Sequence, residues 1–227
     1  MSVVSPNLRT RVRGIAVPIA VALGRTGLTP NALTVIGFGI AVLAAAAASQ
    51  QAWIAAGLLV IFGGVFDLFD GALARATNTV SRLGAFLDSV FDRAGESILY
   101  LGIAIGCLAA DFTIGAALAA AAMGASFMVG YTRAKSESLG FTPGTGMANV
   151  GVAPREVRLV LLTIGLIVTG MLGGVWFARP DFFPATLQGG QVLLVVTLGL
   201  ITILATITTI QRILHVVHQQ PSEEQHP

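Results

Sequence analysis

Residues 67–92 read DLFDGALARATNTVSRLGAFLDSVFD and carry four aspartates, Asp67, Asp70, Asp88 and Asp92, in a chain that is otherwise overwhelmingly apolar. Helical spacing puts Asp67, Asp70, Gly71, Ala74 and Arg75 on one stripe, at i, i+3, i+4, i+7 and i+8. Gly84, Asp88 and Asp92 form a second stripe at i, i+4 and i+8. Between the stripes Thr77, Asn78, Thr79 and Ser81 make a polar break, which predicts two helices meeting at a short turn. Ser81 is placed to cap the second helix, its hydroxyl accepting a bond from a free N–H of the first turn. Folded back as a hairpin, the two stripes face each other and gather four carboxylates in one cavity.

Four like charges repel, and each is costly at membrane depth. A divalent cation relieves the conflict, because hard ions such as Mg²⁺ or Mn²⁺ prefer carboxylate oxygens. A solvated helix face is the plainer alternative, but segments 58–66 and 98–108 on either side are apolar. Facing aspartate stripes suit a pair of ions, which in such sites sit roughly 3.5–4 Å apart. Gly71, Ala74 and Gly84 leave the helix surfaces bare at the same height. That serves close helix packing, and it also leaves a groove for a base or ribose. Arg75 offers a bidentate fork to a phosphate.

The rest of the chain places this hairpin in a membrane. Of 227 residues, 55% are hydrophobic and 11% charged, and the mean hydropathy is +0.83. The predicted fold is all-α: an integral membrane protein of one domain, 1–227, with six transmembrane helices after an N-terminal amphipathic interfacial helix. The six spans fall near 32–49, 52–76, 81–108, 113–136, 156–178 and 189–216. Residues 1–31 make the interfacial helix and turn. Pro6 starts that helix, and Leu8, Val12, Ile15, Ile19 and Leu23 form its apolar stripe. Arg9, Arg11 and Arg13 lie off the stripe and suit anionic headgroups. A signal peptide is a poorer reading, since the apolar run is short and leads into Arg25.

Residues 138–154 make a Gly- and Pro-rich connection, and 219–227 a polar tail expected to be disordered. The single cysteine, Cys107, has no intrachain partner and lies in an apolar run. His215, His218 and His226 have no matching ligand cluster, and no basic run with interleaved aromatics suggests nucleic acid. Twelve of the thirteen Lys and Arg residues fall on one side of this topology and only Arg179 on the other. By the positive-inside rule both termini and the aspartate hairpin then face the cytoplasm of a cell membrane.

The pattern D-x2-D-G-x2-A-R-x8-G-x3-D-x3-D resembles the signature of the CDP-alcohol phosphatidyltransferase family at all eight defining positions: Asp67, Asp70, Gly71, Ala74, Arg75, Gly84, Asp88 and Asp92. The resemblance implies transfer of a phosphatidyl group from CDP-diacylglycerol, or an ether-lipid equivalent, to an alcohol, with release of CMP and dependence on Mg²⁺ or Mn²⁺. It implies Asp67, Asp70 and Asp88 as metal ligands, and Asp92 as metal ligand or as the base that deprotonates the acceptor. Asp70, Gly71, Ala74, Arg75 and Gly84 would line the CDP site, with Asn31 and Thr34 at its border. It implies a homodimer, and the Ala- and Gly-rich composition suits a prokaryotic source.

Arg133 and Lys135 close the fourth span, Arg155 and Arg158 open the fifth, and Arg212 ends the sixth. Gathered at one cavity mouth they would hold a phosphorylated acceptor, which a neutral alcohol would not require. Topology anchoring is the competing explanation. YTRAKSESLG at 131–140, the Gly-rich loop and the two arginines resemble the phosphatidylinositol phosphate synthase branch, which points to inositol phosphate. Pro154 and Val157 depart from the acidic flanks expected there, and glycerol 3-phosphate is the main competing acceptor. A divalent-cation transporter is the rival class. All four aspartates sit at one end, however, and Arg75 among them would repel a passing cation.

Overall fold

The computed structural model describes residues 6–141, 150–173 and 189–219, with side chains described from residue 16 onward. The described residues form seven helices and no strand: α1 (Pro6–Arg25), α2 (Pro30–Ser49), α3 (Trp53–Ala76), α4 (Arg82–Ala109), α5 (Thr113–Ser138), α6 (Arg155–Leu172) and α7 (Gly189–Val217). Each expected span coincides with a helix to within two residues at its described ends. Residues 174–178 of the fifth span, 142–149 of the Gly-rich connection, 220–227 of the tail, and Arg179 lie outside the described residues.

Local chemistry accounts for the boundaries around the aspartates. The Thr29 hydroxyl accepts a bond from Ala32 N at 3.2 Å, and Pro30 occupies the first helical turn of α2. Ser81 caps α4 as its sequence predicts, accepting from Gly84 N at 3.0 Å. Between α3 and α4, Asn78 takes φ 55°, a left-handed conformation that Asn tolerates better than most residues. The chain therefore reverses in a few residues, and α4 returns alongside the segment it left.

Helices α2 to α7 pack in a ring in the order α2, α4, α5, α7, α6, α3 and back to α2, while α1 rests on α3 from outside. One end of the ring is closed by apolar packing. Leu99, Tyr100 and Ile103 of α4 meet Leu162 and Leu166 of α6 and Leu194, Leu198 and Ile201 of α7 there, all fully or nearly fully buried. Close approach of α4 to α2 depends on Gly102 and Gly106: a Cβ at either would run into the carbonyl oxygen of Ala45 or Ala48. The opposite end carries the N-termini of α2, α4 and α6 and the C-termini of α3, α5 and α7. There the ring opens into polar cavities.

Among the described residues four helices, α2, α3, α5 and α7, are long and apolar enough to cross a membrane. The remaining two ring members dilute their hydropathy at the polar end, α4 with Asp88, Asp92, Arg93 and Glu96 and α6 with Arg155, Glu156 and Arg158. On α1, Ala16 and Ala20 are buried against Leu33, Ala72 and Leu73, Leu23 of the expected stripe packs beside them, and Ile19 of that stripe is exposed; the side chains of Leu8, Val12 and Ile15 lie outside the described residues. Small side chains let α1 lie close on α3; Gly24 sits directly over the Leu73 side chain.

Candidate active site

The aspartate hairpin stands where α3 ends and α4 begins, and its carboxylates divide between adjoining spaces. Asp70 and Asp88 line a cavity of about 270 Å³ that also takes in Asn31, Thr34, Gly71, Ala74, Arg75 and Gly84. All seven residues expected at the CDP site therefore share one wall-to-wall space. Arg75 folds back over Gly71, whose missing side chain makes room: a Cβ there would lie 3.2 Å from Arg75 Nη1. Gly84 similarly leaves space beside Asn31, with 3.2 Å between a hypothetical Cβ and Asn31 Oδ1. Asp70 is buried and accepts a bond from the Thr34 hydroxyl at 2.7 Å, which ties α2 to α3 inside this cavity.

On the far side of Asp88 lies a larger basin of about 510 Å³, between α4, α5, α6 and α7. Asp88, Asp92, Arg133, Arg155, Arg158 and Arg212 all contribute to its wall. Asp88 thus borders both spaces, whereas Asp92 borders the basin and a small inner cavity shared with Asp67 and Arg155. The expected single cavity for four carboxylates is in fact three adjoining spaces: Asp70 and Asp88 line the first, Asp88 and Asp92 the basin, and Asp67 and Asp92 the small inner one. Asp67 and Asp70 lie only about 60° apart around α3, and their partners separate them: Arg155 holds Asp67 at the inner cavity, while the Thr34 hydroxyl holds Asp70 in the cavity with Asp88.

Arg155 joins the two helices of the hairpin. Its Nη1 lies 2.7 Å from Asp92 Oδ1 and its Nη2 lies 3.1 Å from Asp67 Oδ2, with all three side chains partly buried. Asp67 can come this far in because Gly37 faces it, where a Cβ would stand 3.0 Å from Asp67 Oδ1. Among the described residues neither Asp70 nor Asp88 forms an ion pair. Nor do three His, Cys, Asp or Glu side chains come together as a ready-made metal cluster. The donor set still fits a hard divalent ion. It is all oxygen, it carries more negative charge than Arg155 offsets, and Asp70 is already oriented by a neutral donor.

The other expected acceptor residues fare differently. Arg133 lines the basin and pairs with Glu137 at 2.9 Å. Lys135, two residues on, is exposed and lines none of the three cavities, because two steps along a helix turn a side chain through 200°. Arg212 is buried and donates to the carbonyls of Val150, at 3.0 Å, and Val129. Arg158 is buried too, and its Nε and Nη2 donate to the two Glu96 oxygens, at 2.9 and 2.8 Å. Glu96 was not among the expected site residues. Its signal was present, since it continues the Gly84–Asp88–Asp92 stripe by one further turn.

Comparison with known proteins bears on this arrangement. The CDP-alcohol phosphatidyltransferase family profile matches residues 27–218. The chain is similar to the archaetidylinositol phosphate synthase of Pyrococcus horikoshii, with 36% identity over 75% of this chain and 86% of that one. It is similar also to the phosphatidylinositol phosphate synthase of Cutibacterium acnes, with 34% identity over 88% of this chain and 90% of that one. The Mycobacterium tuberculosis phosphatidylinositol phosphate synthase, solved with CDP-DAG bound, superposes with a TM-score of 0.74 at 26% identity, over 89% of this chain and 93% of that one. The same enzyme has been solved with manganese and citrate, again at a TM-score of 0.74, with 26% identity over 88% of each chain. With its eight signature residues gathered at one end of a helical ring, and with the family match running through α2 to α7, this chain belongs to the CDP-alcohol phosphatidyltransferase family and is a transferase of phospholipid synthesis.

Proposed function

We propose that this protein transfers the phosphatidyl group of CDP-diacylglycerol, or an ether-lipid equivalent, to a hydroxyl of inositol phosphate, releasing CMP. The observation that carries the reading is the pair of cavities meeting at Asp88: one lined by the expected CDP residues, the other by arginines. The nucleotide lies in the smaller space, where Arg75 reaches its phosphates and Gly71, Ala74 and Gly84 let it lie against the helices. The acceptor enters the basin, where Arg133 and Arg155 offer charge to its phosphate. Asp92 faces the basin and takes the proton of the attacking hydroxyl. That oxygen forms the new bond to the phosphatidyl phosphorus as the bond to the CMP oxygen breaks.

Asp67, Asp70, Asp88 and Asp92 would hold Mg²⁺ or Mn²⁺, two ions in our reading. Bound there, the metal supplies Lewis-acid charge that neutralises the diphosphate and the departing CMP. The likeness to an enzyme solved with manganese supports a divalent ion. Arg155 holds the Asp67 and Asp92 oxygens that an ion would take, so its guanidinium would be available to the acceptor phosphate once the carboxylates held the ion.

All six ring helices cross the bilayer in this reading, α4 and α6 with their charged ends at the cavity mouth, and the chain works as a homodimer. Both termini and the active site face the cytoplasm, supported by the twelve-to-one distribution of Lys and Arg. In a Cys107→Ser background, Ser138→Cys should resist membrane-impermeant thiol reagents in intact cells while Gln51→Cys reacts. Labelling of Ser138→Cys from outside would invert this orientation.

Acceptor identity is tested by CMP release from purified protein, CDP-diacylglycerol and Mn²⁺ with a series of alcohols. Inositol phosphate should give the highest kcat/KM, with free inositol and serine at least about tenfold lower, the loss of one charge-assisted contact. Preference for glycerol 3-phosphate would keep the phosphate-binding role of the basin and change the alcohol. Preference for free inositol or serine would reduce the arginines to topology anchors.

A further inference from the structure

Two ionic rungs cross from α4 to α6. The outer rung, Asp92 to Arg155, belongs to the site. The inner one joins Glu96 to Arg158, one helical turn deeper on each helix, and is almost completely enclosed, with side chains 6% and 3% exposed. Nε and Nη2 of Arg158 meet the two Glu96 oxygens at 2.9 and 2.8 Å in a bidentate fork. The remaining terminal nitrogen, Nη1, donates to the carbonyl of Ala153 at 3.0 Å.

That third bond reaches the strand of chain that delivers Arg155. Ala153 N donates to the Thr208 hydroxyl at 2.9 Å, Val152 N to Gln211 Oε1 at 3.1 Å, and Arg212 Nε to Val150 O at 3.0 Å. Gly151 takes φ 115° and lies so close to Thr208 that a Cβ would run into its methyl group. The segment from Val150 to Ala153 is therefore fastened to α7 on one side and to Arg158 on the other. Arg155 follows two residues later as the first residue of α6.

A buried ion pair is a poor source of stability, since apolar side chains of similar volume often do as well or better. It does impose geometry, because a bidentate fork tolerates little sliding. We propose that Glu96 and Arg158 are positioning residues for the acceptor: they lock the register of α6 against α4 and so hold Arg155 at the junction of the basin and the aspartates. Arg158 then acts on the acceptor through Arg155 and does not touch it. This inference rests on the basin being the acceptor site.

The test is a KM-against-kcat comparison on Glu96→Gln and Glu96→Asp, made with whichever alcohol the wild-type protein uses best. That choice separates the inference from acceptor identity, which the wild-type series decides alone. The glutamine amide keeps the side chain's size but turns one N–H group toward the guanidinium and loosens the fork. Glu96→Gln should raise the acceptor KM about tenfold or more, as small displacements of binding groups do, with the CDP-diacylglycerol KM within about twofold of wild type. Glu96→Asp keeps the charge on a shorter stem and should fall between the two, and it decides the matter if the glutamine variant does not fold.

Three results would overturn the inference. One is a fall in acceptor KM for Glu96→Gln, which would mean that the freed Arg158 binds the phosphate directly. Another is an equal rise in both KM values. The third is a loss confined to thermal stability and kcat with both KM values unchanged, which would leave the pair a purely structural one.

Discussion

Replacing Asp88 with Asn is expected to reduce CMP release by on the order of 10²–10³-fold at limiting Mn²⁺, while the protein still folds. Asn is nearly isosteric, so the α3–α4 hairpin and its Ser81 cap keep their shape. The lost charge is another matter. Asp88 is the one aspartate that borders both cavities, and among the described residues it has no ion-pair partner to satisfy it. Losing one preorganised electrostatic group at a reacting centre costs about 2.7–4 kcal/mol of transition-state stabilisation, and each 1.36 kcal/mol is a factor of ten in rate. Activity should recover partly as Mn²⁺ is raised if Asp88 serves mainly to bind the ion. Near wild-type release at limiting metal, with an unchanged melting temperature, would remove Asp88 from the metal site.

Arg155→Ala should move two measurements in opposite directions. The acceptor KM is expected to rise roughly ten- to a hundredfold, because a charge-assisted contact contributes about 1.5–3 kcal/mol. Mn²⁺ should bind more tightly, since the guanidinium that now bridges Asp67 and Asp92 is gone and both carboxylates are released. Titration followed by the paramagnetic signal of free Mn²⁺ reads the second effect without turnover. A surface anchor would change neither quantity. Weaker Mn²⁺ binding in Arg155→Ala would mean that the arginine organises the aspartates and does not compete with metal for them.

The hairpin could be read in advance because every device in it is local. Four aspartates and three small residues share two helical stripes, and Ser81 stands where a cap must stand. Helix positions followed from apolar runs bounded by turn residues. Division of the carboxylates among three spaces depends instead on partners from other helices, Arg155 for Asp67 and Thr34 for Asp70, which no single helix encodes. Arg158 is the sharper case. Its neighbours in sequence suggest a cation at a cavity mouth, but its partner is Glu96, sixty-two residues away, and that partner withdraws it into the interior. The exclusion of Lys135 from the basin was readable from phase alone: Arg133 and Lys135, two steps apart on one helix, cannot share one face.

The central claim is a division of labour between two adjoining cavities, and binding measured without turnover tests it most directly. Arg75→Ala and Arg155→Ala proteins, each loaded with Mn²⁺, would be titrated calorimetrically with CMP and separately with inositol phosphate. The account predicts that Arg75→Ala loses about tenfold or more in affinity for CMP and little for inositol phosphate, and that Arg155→Ala does the reverse. If both variants lose both ligands equally, or if Arg155→Ala weakens CMP alone, the two cavities do not hold the two substrates as assigned.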